Sequence, residues 1–238
     1  MKEKIILFTR VPKEGTTKTR LYDFMSPTEA VNIQKKLLKK NYDLLAETNR
    51  ELLVCHDGNS SDDKEMAELI SCDKFYYQKG DNLGDKMYNA LEEVISDSKV
   101  ILLGSDIFNL DKDIIEEAFE KLETHDVVIN PSEDGGYFLI GMKKAIKEVF
   151  DLPSYGDSSV LENLIKVLEK NNLTYYLGRA ALDIDIKEDL LYAETGYKNI
   201  KLLGAGEYNI NFTFDEDNMK KVLRLNMKSQ MNLDNQIE

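Results

Sequence analysis

The chain has 238 residues, 42% of them hydrophobic and 32% charged, a balance typical of folded globular proteins rather than disordered ones. Its formal net charge of −13 argues against a nucleic-acid polymer as partner, so any phosphate must be bound by a few placed cations. Cys55 and Cys72 form no metal-type or disulfide-type pattern, and no apolar run reaches 18 residues. We therefore expect a cytoplasmic protein with no leader, no membrane segment and no membrane partner.

Short apolar runs alternate with longer segments of helical periodicity along most of the chain. The runs predict buried strands and the periodic segments predict helices. In chain order these are strand 5–8, helix 27–45, strand 52–55, helix 63–70, strand 74–77, helix 83–95, strand 100–103, helix 114–122, strands 127–129 and 137–140, helix 160–168 and strand 173–177. The alternation predicts an α/β fold, a three-layer sandwich with a mostly parallel sheet. Ligands of such sheets bind beyond the carboxyl ends of the strands.

The C-terminal residues break this alternation. Runs at 199–203, 208–214 and 220–225 predict a short antiparallel β segment, with Gly204 and Gly206 at its first turn. We place a domain boundary here, with 1–197 as the α/β domain and 198–238 as a second segment. An exposed edge strand in this segment could pair with another chain, which predicts a homodimer through the C-terminal β segment.

The loop after the first strand concentrates positive charge in an acidic chain. Arg10, Lys18 and Arg20 all lie between Thr9 and Leu21. Guanidinium groups suit phosphate oxygens, and a lysine adds a point charge. The loop is therefore a candidate phosphate site, although a solvated basic loop would have the same composition. It is not a Walker A loop, because the required glycine and Gly-Lys pair are missing.

An aspartate follows a buried strand directly in the run Gly104-Ser105-Asp106. A carboxylate at this edge of a sheet can hold Mg²⁺ or Mn²⁺ together with a diphosphate. Capping of the next turn is the structural alternative for Asp106. Asp111 is better placed to begin the following helix.

Two further acidic motifs lie later in the chain. In Glu133-Asp134-Gly135-Gly136-Tyr137 the glycines allow close approach to a ligand, while a tight hairpin turn is an equal alternative. In 183–190, Asp183 and Asp185 are expected to point the same way on a strand, and Asp189 to lie on the helix that follows. Either of the first two could supply a second metal carboxylate, or all three could be solvated charges.

Another glycine-punctuated loop, 78–84, leads into a helix. It contains Gln78, Gly80 and Gly84, and a helix N-terminus of this kind can bind anions.

Taken together, the ordered motifs resemble one family. They are Pro12-x-x-Gly15-x-x-Lys18-Thr19-Arg20-Leu21, Gln78-x-Gly80-x-x-Leu83-Gly84, Gly104-Ser105-Asp106, Glu133-Asp134-Gly135-Gly136-Tyr137 and Asp183-x-Asp185-x-x-Glu188-Asp189-Leu190. Over about residues 1–197 the chain resembles the glycosyltransferase-A-like nucleotide-diphospho-sugar transferases known as rSAM/selenodomain-associated transferases, once classed as a domain of unknown function. More distantly it resembles the molybdenum-cofactor and phospholactate guanylyltransferases.

The resemblance implies a nucleotide or nucleotide-sugar substrate and a Mg²⁺ or Mn²⁺ cofactor. Carried over by position, it implies catalytic roles for Lys18, Arg20, Asp106 and Asp134, and metal ligation by Asp106 and Asp185. It implies nucleotide contacts from Thr9, Arg10, Lys18, Arg20, Gln78, Gly80, Gly84, Ser105, Gly135 and Gly136.

The chain departs from the family pattern at two motifs. Ile107 and Phe108 stand where the family has cysteine or threonine and then proline, and Ile186 and Lys187 stand where it has threonine and proline.

The tail resembles a different family. Residues 202–209 and 222–225 are similar to the opening of an aminoglycoside- or choline-kinase-type phosphotransferase, which implies a truncated second domain. A β extension belonging to the first domain is the alternative.

These features predict an enzyme, a metal-dependent transferase that moves a sugar from a nucleotide-diphospho-sugar to an acceptor. One alternative is a nucleotidyltransferase that condenses an NTP with a phosphorylated substrate. A non-catalytic nucleotide-binding module is the third hypothesis, because the fold alone does not choose among them.

Overall fold

The computed structural model describes residues 1–195, 208–214 and 221–227, and the chain divides into two compact units. Unit one comprises Met1–Val11 and Lys35–Asp183, and unit two comprises Pro12–Gln34 and Ile184–Glu238. The expected boundary between residues 197 and 198 falls outside the described residues and stays a prediction.

Unit one is built on a seven-stranded sheet. Its strands are β1 (Lys2–Thr9), β2 (Glu51–His56), β3 (Phe75–Tyr77), β4 (Ser98–Gly104), β5 (Val127–Pro131), β6 (Tyr137–Met142) and β7 (Tyr175–Leu177). They lie in the order β3-β2-β1-β4-β6-β5-β7. Strand β6 is antiparallel to both of its neighbours, and all other neighbouring strands are parallel. The predicted mostly parallel sheet is confirmed.

The described residues contain six α-helices. They are α1 (Pro27–Ala46), α2 (Asp63–Ile70), α3 (Leu83–Val94), α4 (Lys112–Lys121), α5 (Val160–Lys170) and α6 (Lys187–Thr195). The five helices predicted up to residue 170 are confirmed with small shifts at their ends. Two single-turn 3-10 helices, at Thr19–Leu21 and Lys147–Phe150, were not predicted because they are too short to show periodicity.

The sheet of unit one is covered on both faces, as a three-layer sandwich requires. Successive side chains of a strand point to opposite faces. Ile5 and Leu7 of β1 pack in a cluster with residues of α1, α2 and α4. Ile6 and Phe8 pack in a second cluster with residues of α3 and α5. Both clusters are buried, which explains why the strands are apolar on both faces.

The C-terminal segment contains two paired strands, β8 (Tyr208–Phe214) and β9 (Lys221–Met227). They are antiparallel, with the register running from Tyr208 opposite Met227 to Phe214 opposite Lys221. The predicted strand at 199–203 and the turn glycines lie outside the described residues, and the dimer stays a prediction. None of the helices described is long and apolar enough to cross a membrane.

Candidate active site

The carboxyl ends of β1 and β4 meet at the point where the strand order reverses. From β1 the chain passes to β2 and β3 on one side and then returns to β4 on the other. This switch point is where open α/β sheets bind ligands. The hydroxyl oxygens of Thr9 and Ser105, the residues at these two strand ends, lie 2.7 Å apart, and both residues are buried. Two of the predicted nucleotide contacts are thus neighbours in the structure.

Asp106 begins the segment that leaves β4. A Cβ atom at Gly104 would lie 3.2 Å from Asp106 Oδ1, so the carboxylate folds back toward the strand end. The next residue, Ile107, forms an isolated antiparallel bridge with Asp183, and the Phe108 N–H donates to the Leu182 carbonyl at 2.8 Å. The pairing brings Asp183 to the same edge of the sheet as Asp106.

The other acidic residues singled out in the sequence lie in different structural positions. Asp111 caps α4 as predicted, because its Oδ1 accepts the Ile114 N–H at 2.9 Å. The expectation that Asp183 and Asp185 share one strand is wrong, since only Asp183 forms a bridge and α6 begins at Lys187. Asp189 lies on α6 as predicted.

Helix α1 holds the segment after β4. The Asn41 side-chain amide donates to the carbonyls of Ser105 and Ile107, each at 2.9 Å. The Lys40 ammonium donates to the Phe108 carbonyl, and burial lowers the pKa of Lys40 to about 8. We did not identify either residue from the sequence. The available signal was a polar asparagine at a core position of the α1 stripe.

The ends of β1 and β2 are also linked by side chains. The Gln78 amide donates to the Thr9 carbonyl at 2.8 Å and to the Cys55 carbonyl at 3.4 Å. Asp57 Oδ1 accepts the Val11 N–H at 2.8 Å, a contact that the sequence did not suggest. The side-chain amide of Gln78 therefore ties strand ends together, and its predicted nucleotide contact stays a prediction.

The Asp134 motif forms the turn between β5 and β6. Asp134 Oδ1 accepts the Ser132 hydroxyl and, at 3.0 Å, the Gly136 N–H. Gly135 has φ +92°, and a Cβ atom there would lie 2.4 Å from the Ser158 carbonyl oxygen. These contacts support the hairpin interpretation of the motif. The catalytic role expected of Asp134 and the nucleotide contacts expected of Gly135 and Gly136 stay predictions.

Packing also explains the glycines near the start of α3. A Cβ atom at Gly84 would lie 2.1 Å from the Phe150 carbonyl oxygen, and one at Gly80 would lie 2.6 Å from Asp85 Cβ. Asn82 caps the helix, with its Oδ1 accepting the Asp85 N–H at 2.9 Å. The nucleotide contacts expected of both glycines stay predictions.

The cations of the first loop are divided between the units. Arg10 is exposed in unit one, whereas Lys18 and Arg20 belong to unit two. Within unit two, Arg20 Nη1 lies 2.7 Å from Asp185 Oδ2, and Lys18 Nζ lies 3.9 Å from Asp185 Oδ1. Asp189 Oδ2 accepts hydrogen bonds from the backbone N–H groups of Asp185 and Ile186. These bonds fix the backbone at Asp185. Both oxygens of Asp185 therefore face cations.

The β4 edge carries acidic residues, whose oxygens are the ligands that hard divalent cations prefer. In the part of the chain that the structure describes, no three histidine, cysteine or acidic side chains form a group able to hold a metal ion. Magnesium bound with a nucleotide needs only one or two protein carboxylates, because phosphates and waters complete its shell. Asp106 and Asp183 are two acidic residues of unit one that lie at this edge. The metal roles predicted for Asp106 and Asp185 stay predictions.

Comparison with known proteins identifies the family. Residues 40–157 match the family described as uncharacterised protein conserved in bacteria, DUF2064. The chain is 30% identical over 200 residues, 80% of this chain and 81% of the relative, to the 2-phospho-L-lactate guanylyltransferase of Methanocaldococcus jannaschii.

Solved structures agree with these matches. A Desulfovibrio desulfuricans G20 protein assigned as a nucleotide-diphospho-sugar transferase superposes with a TM-score of 0.76 and 27% identity, covering 84% of this chain and 90% of that one. A Mycobacterium tuberculosis H37Rv protein in complex with manganese shares the fold alone, with a TM-score of 0.52 and 11% identity over 80% of this chain and 97% of that one. The chain therefore belongs to the DUF2064 family, with the nucleotide-diphospho-sugar transferase fold, and is distantly related to the 2-phospho-L-lactate guanylyltransferases.

Proposed function

We propose that the chain is a nucleotidyltransferase that condenses an NTP, with GTP as the first candidate, with a small phosphorylated acceptor. The observation that carries this is the switch point between β1 and β4, where Asp106 follows β4 closely and the Ile107–Asp183 bridge brings a second acidic residue to the same edge. The guanylyltransferase named among the relatives supports this activity over glycosyl transfer, because four fifths of its length aligns with the chain.

The proposed reaction balances without a further reactant. A phosphate oxygen of the acceptor attacks the α-phosphorus of the NTP, and a new P–O bond forms. The bond from that phosphorus to the α,β-bridging oxygen breaks, and pyrophosphate leaves with the electron pair. A divalent cation on Asp106 and Asp183 would offset negative charge on the phosphates. The Thr9 and Ser105 hydroxyls, 2.7 Å apart, hold the two strand ends together next to Asp106 in the chain.

A phosphate that binds Lys18 and Arg20 would have to compete with the Asp185 carboxylate. In unit two both cations pair with Asp185. A phosphate offers more oxygens and more charge than one carboxylate, so it would compete with Asp185 for Arg20, whose side chain is 61% exposed. Lys18 is 3% exposed at its side chain and would serve mainly as a fixed positive charge.

Glycosyl transfer is the second candidate, favoured by the solved protein assigned as a nucleotide-diphospho-sugar transferase. It would use the same diphosphate and metal contacts, but the bond broken would join the sugar to the diphosphate. The product nucleotide distinguishes the two reactions, because only nucleotidyl transfer releases pyrophosphate.

The test measures pyrophosphate and nucleotide products directly. The protein is incubated with Mn²⁺ and each NTP plus phosphorylated hydroxy acids, and separately with UDP-, GDP- and dTDP-sugars. We expect pyrophosphate release from an NTP that depends on the acceptor. Asp106→Asn should reduce it by about 10²–10³-fold, a loss typical of removing transition-state charge stabilisation. Nucleoside diphosphate from a sugar nucleotide, without pyrophosphate, would instead establish glycosyl transfer.

A matched pair of variants decides between the two candidate metal carboxylates. Asp183→Asn and Asp185→Asn remove the same charge two residues apart. We expect only Asp183→Asn to raise the Mn²⁺ concentration needed for half-maximal activity. Loss of the Mn²⁺ response in Asp185→Asn alone would restore the ligand set implied by the family resemblance.

A further inference from the structure

We propose that Asn41 is a positioning residue that fixes the orientation of Asp106 for the metal-bound nucleotide. The inference rests on the metal role proposed for Asp106 and adds a residue that does not itself touch metal or substrate. It explains why a buried amide side chain lies in the apolar stripe of α1.

Asn41 donates hydrogen bonds to the residues on both sides of Asp106 in the chain. Its Nδ2 donates to the carbonyl oxygens of Ser105 and Ile107, the residues immediately before and after Asp106, each at 2.9 Å. One amide therefore restrains the peptide unit that precedes Asp106 and the peptide unit that follows Ile107. Because Asn41 is 0% exposed, packing fixes the amide that holds them.

The burial of Asn41 argues against a purely packing role. Its Oδ1 is buried and finds no hydrogen-bond partner among the residues that the structure describes. A buried acceptor left in this state destabilises the fold, whereas leucine would suit the stripe that contains Leu37, Leu38 and Leu45. An asparagine here makes physical sense if its two donated hydrogen bonds are needed.

The chain contains a matched control for this argument. Asn130 is 1% exposed, its Nδ2 donates to the Arg179 carbonyl at 3.0 Å, and its Oδ1 also lacks a described partner. Asn130 thus has the same burial and the same kind of bond, but it holds Arg179 and not the residues around Asp106. Asp183, four residues after Arg179, is held separately by its bridge to Ile107 and by the hydrogen bonds of Leu182 with Asn109 and Phe108. Loss of either amide should cost stability, and only loss of Asn41 should disturb Asp106.

The experiment compares Asn41→Ala with Asn130→Ala in the full chain. GTP binding is measured by calorimetry with and without Mn²⁺, below the melting temperature of each variant. We expect Asn41→Ala to reduce the Mn²⁺-dependent tightening of GTP binding by about 10–100-fold, the usual effect of losing a partner that orients a metal ligand. Asn130→Ala should keep the wild-type tightening.

A double-mutant cycle tests whether Asn41 acts through Asp106. In an Asp106→Asn background, Asn41→Ala should have no further effect on GTP binding. Equal losses in the two asparagine variants, or additive effects of Asn41→Ala and Asp106→Asn, would overturn the positioning role alone. Absence of any Mn²⁺-dependent tightening in the wild type would overturn the proposed function as well. If Asn41→Ala does not fold, Asn41→Ser, which keeps one donor, is judged by the same criteria.

Discussion

Two lysines at opposite edges of the sheet in unit one have contrasting surroundings. At the amino edge, the Lys99 side chain is 6% exposed and pairs with Glu3 at 3.3 Å and with Glu123. These carboxylates raise the pKa of Lys99. At the carboxyl edge, the Lys40 ammonium donates to the Phe108 carbonyl, and burial lowers the pKa of Lys40 to about 8.

The contrast separates an edge held together by ion pairs from an edge held together by hydrogen bonds to backbone carbonyls. Glu3 also accepts from Arg50 at 2.8 Å, and Arg50 in turn pairs with Glu116 at 2.6 Å, so the amino edge is a network of opposite charges. At the carboxyl edge, Lys40 and Asn41 donate to backbone carbonyls around Asp106. These donors fix the backbone on either side of Asp106.

The largest effect on stability is expected from Glu3→Gln at the amino edge. The substitution removes a carboxylate shared by Lys99 and Arg50, whose side chains are only 6% and 13% exposed. Lys99 keeps Glu123 and Arg50 keeps Glu116, but each cation loses a charge-assisted hydrogen bond to Glu3. We therefore expect the free energy of unfolding to fall by about 3 kcal/mol, the sum of two such losses. Urea denaturation measures the loss, and GTP affinity of the folded variant should not change.

An exposed ion pair supplies the control. Glu47→Gln breaks the pair with Lys112, in which the side chains are 66% and 50% exposed, and should cost no more than about 1 kcal/mol. If Glu3→Gln cost no more than this, the amino edge would not be the stabilising network described above. A changed GTP affinity would contradict the separation of the two edges.

The second prediction concerns a glycine of the carboxyl edge. Gly84→Ala places a Cβ atom 2.1 Å from the Phe150 carbonyl oxygen. Since the new Cβ atom would meet a backbone atom, which cannot rotate away as a side chain can, we expect a loss of about 2 kcal/mol in the free energy of unfolding. Thermal unfolding measures it. Weakened GTP binding with wild-type stability would instead support the nucleotide contact predicted for Gly84.

The sequence was sufficient for the strands and helices because their patterns are local. Ile5–Phe8 is apolar on both faces, which already requires a sheet covered on two sides. The carboxyl-edge location of Asp106 followed from its place directly after such a strand. These inferences need only the chain neighbours of a residue.

The remaining features depend on pairing between distant segments. Asp183 and Asp185 are two residues apart, so a strand pattern could not separate them. Their tertiary contacts separate them, because Asp183 forms a bridge with Ile107 and Asp185 forms an ion pair with Arg20. The contacts of Asn41 were equally inaccessible, because they join α1 to a segment more than sixty residues away. Polar residues in helical core positions are the sequence signal for such contacts.

Pairing between distant segments also explains one departure from the family pattern, Phe108 in place of proline. The Phe108 N–H donates to the Leu182 carbonyl at 2.8 Å, a bond that proline could not make. The Phe108 ring also lies 5.1 Å from the Lys40 ammonium, and its carbonyl accepts from that group. Hydrogen bonds and a cation–π contact thus restrain the backbone where the family pattern has a proline.

The smallest expected effect is a difference in pH dependence between the two lysines. Because the folded-state pKa of Lys40 lies below the usual value of 10.5, the unfolded chain binds more protons between pH 8 and pH 10.5, and stability rises with pH. For Lys99 the folded-state pKa is raised, so its stabilisation is fully present below pH 10.5 and is lost only at higher pH. Lys40→Met and Lys99→Met should therefore respond differently between pH 7 and pH 10.

Urea unfolding of the wild type and both variants measures this difference. At about 1.4 kcal/mol per pKa unit, the wild type should gain about 1–2 kcal/mol over Lys40→Met between these pH values. This gain in free energy is smaller than the full pKa shift of Lys40 would give, because the Phe108 carbonyl favours the charged ammonium. The wild type should gain nothing over Lys99→Met. An equal response of both variants would mean that the ammonium at the carboxyl edge is as well neutralised as the one at the amino edge.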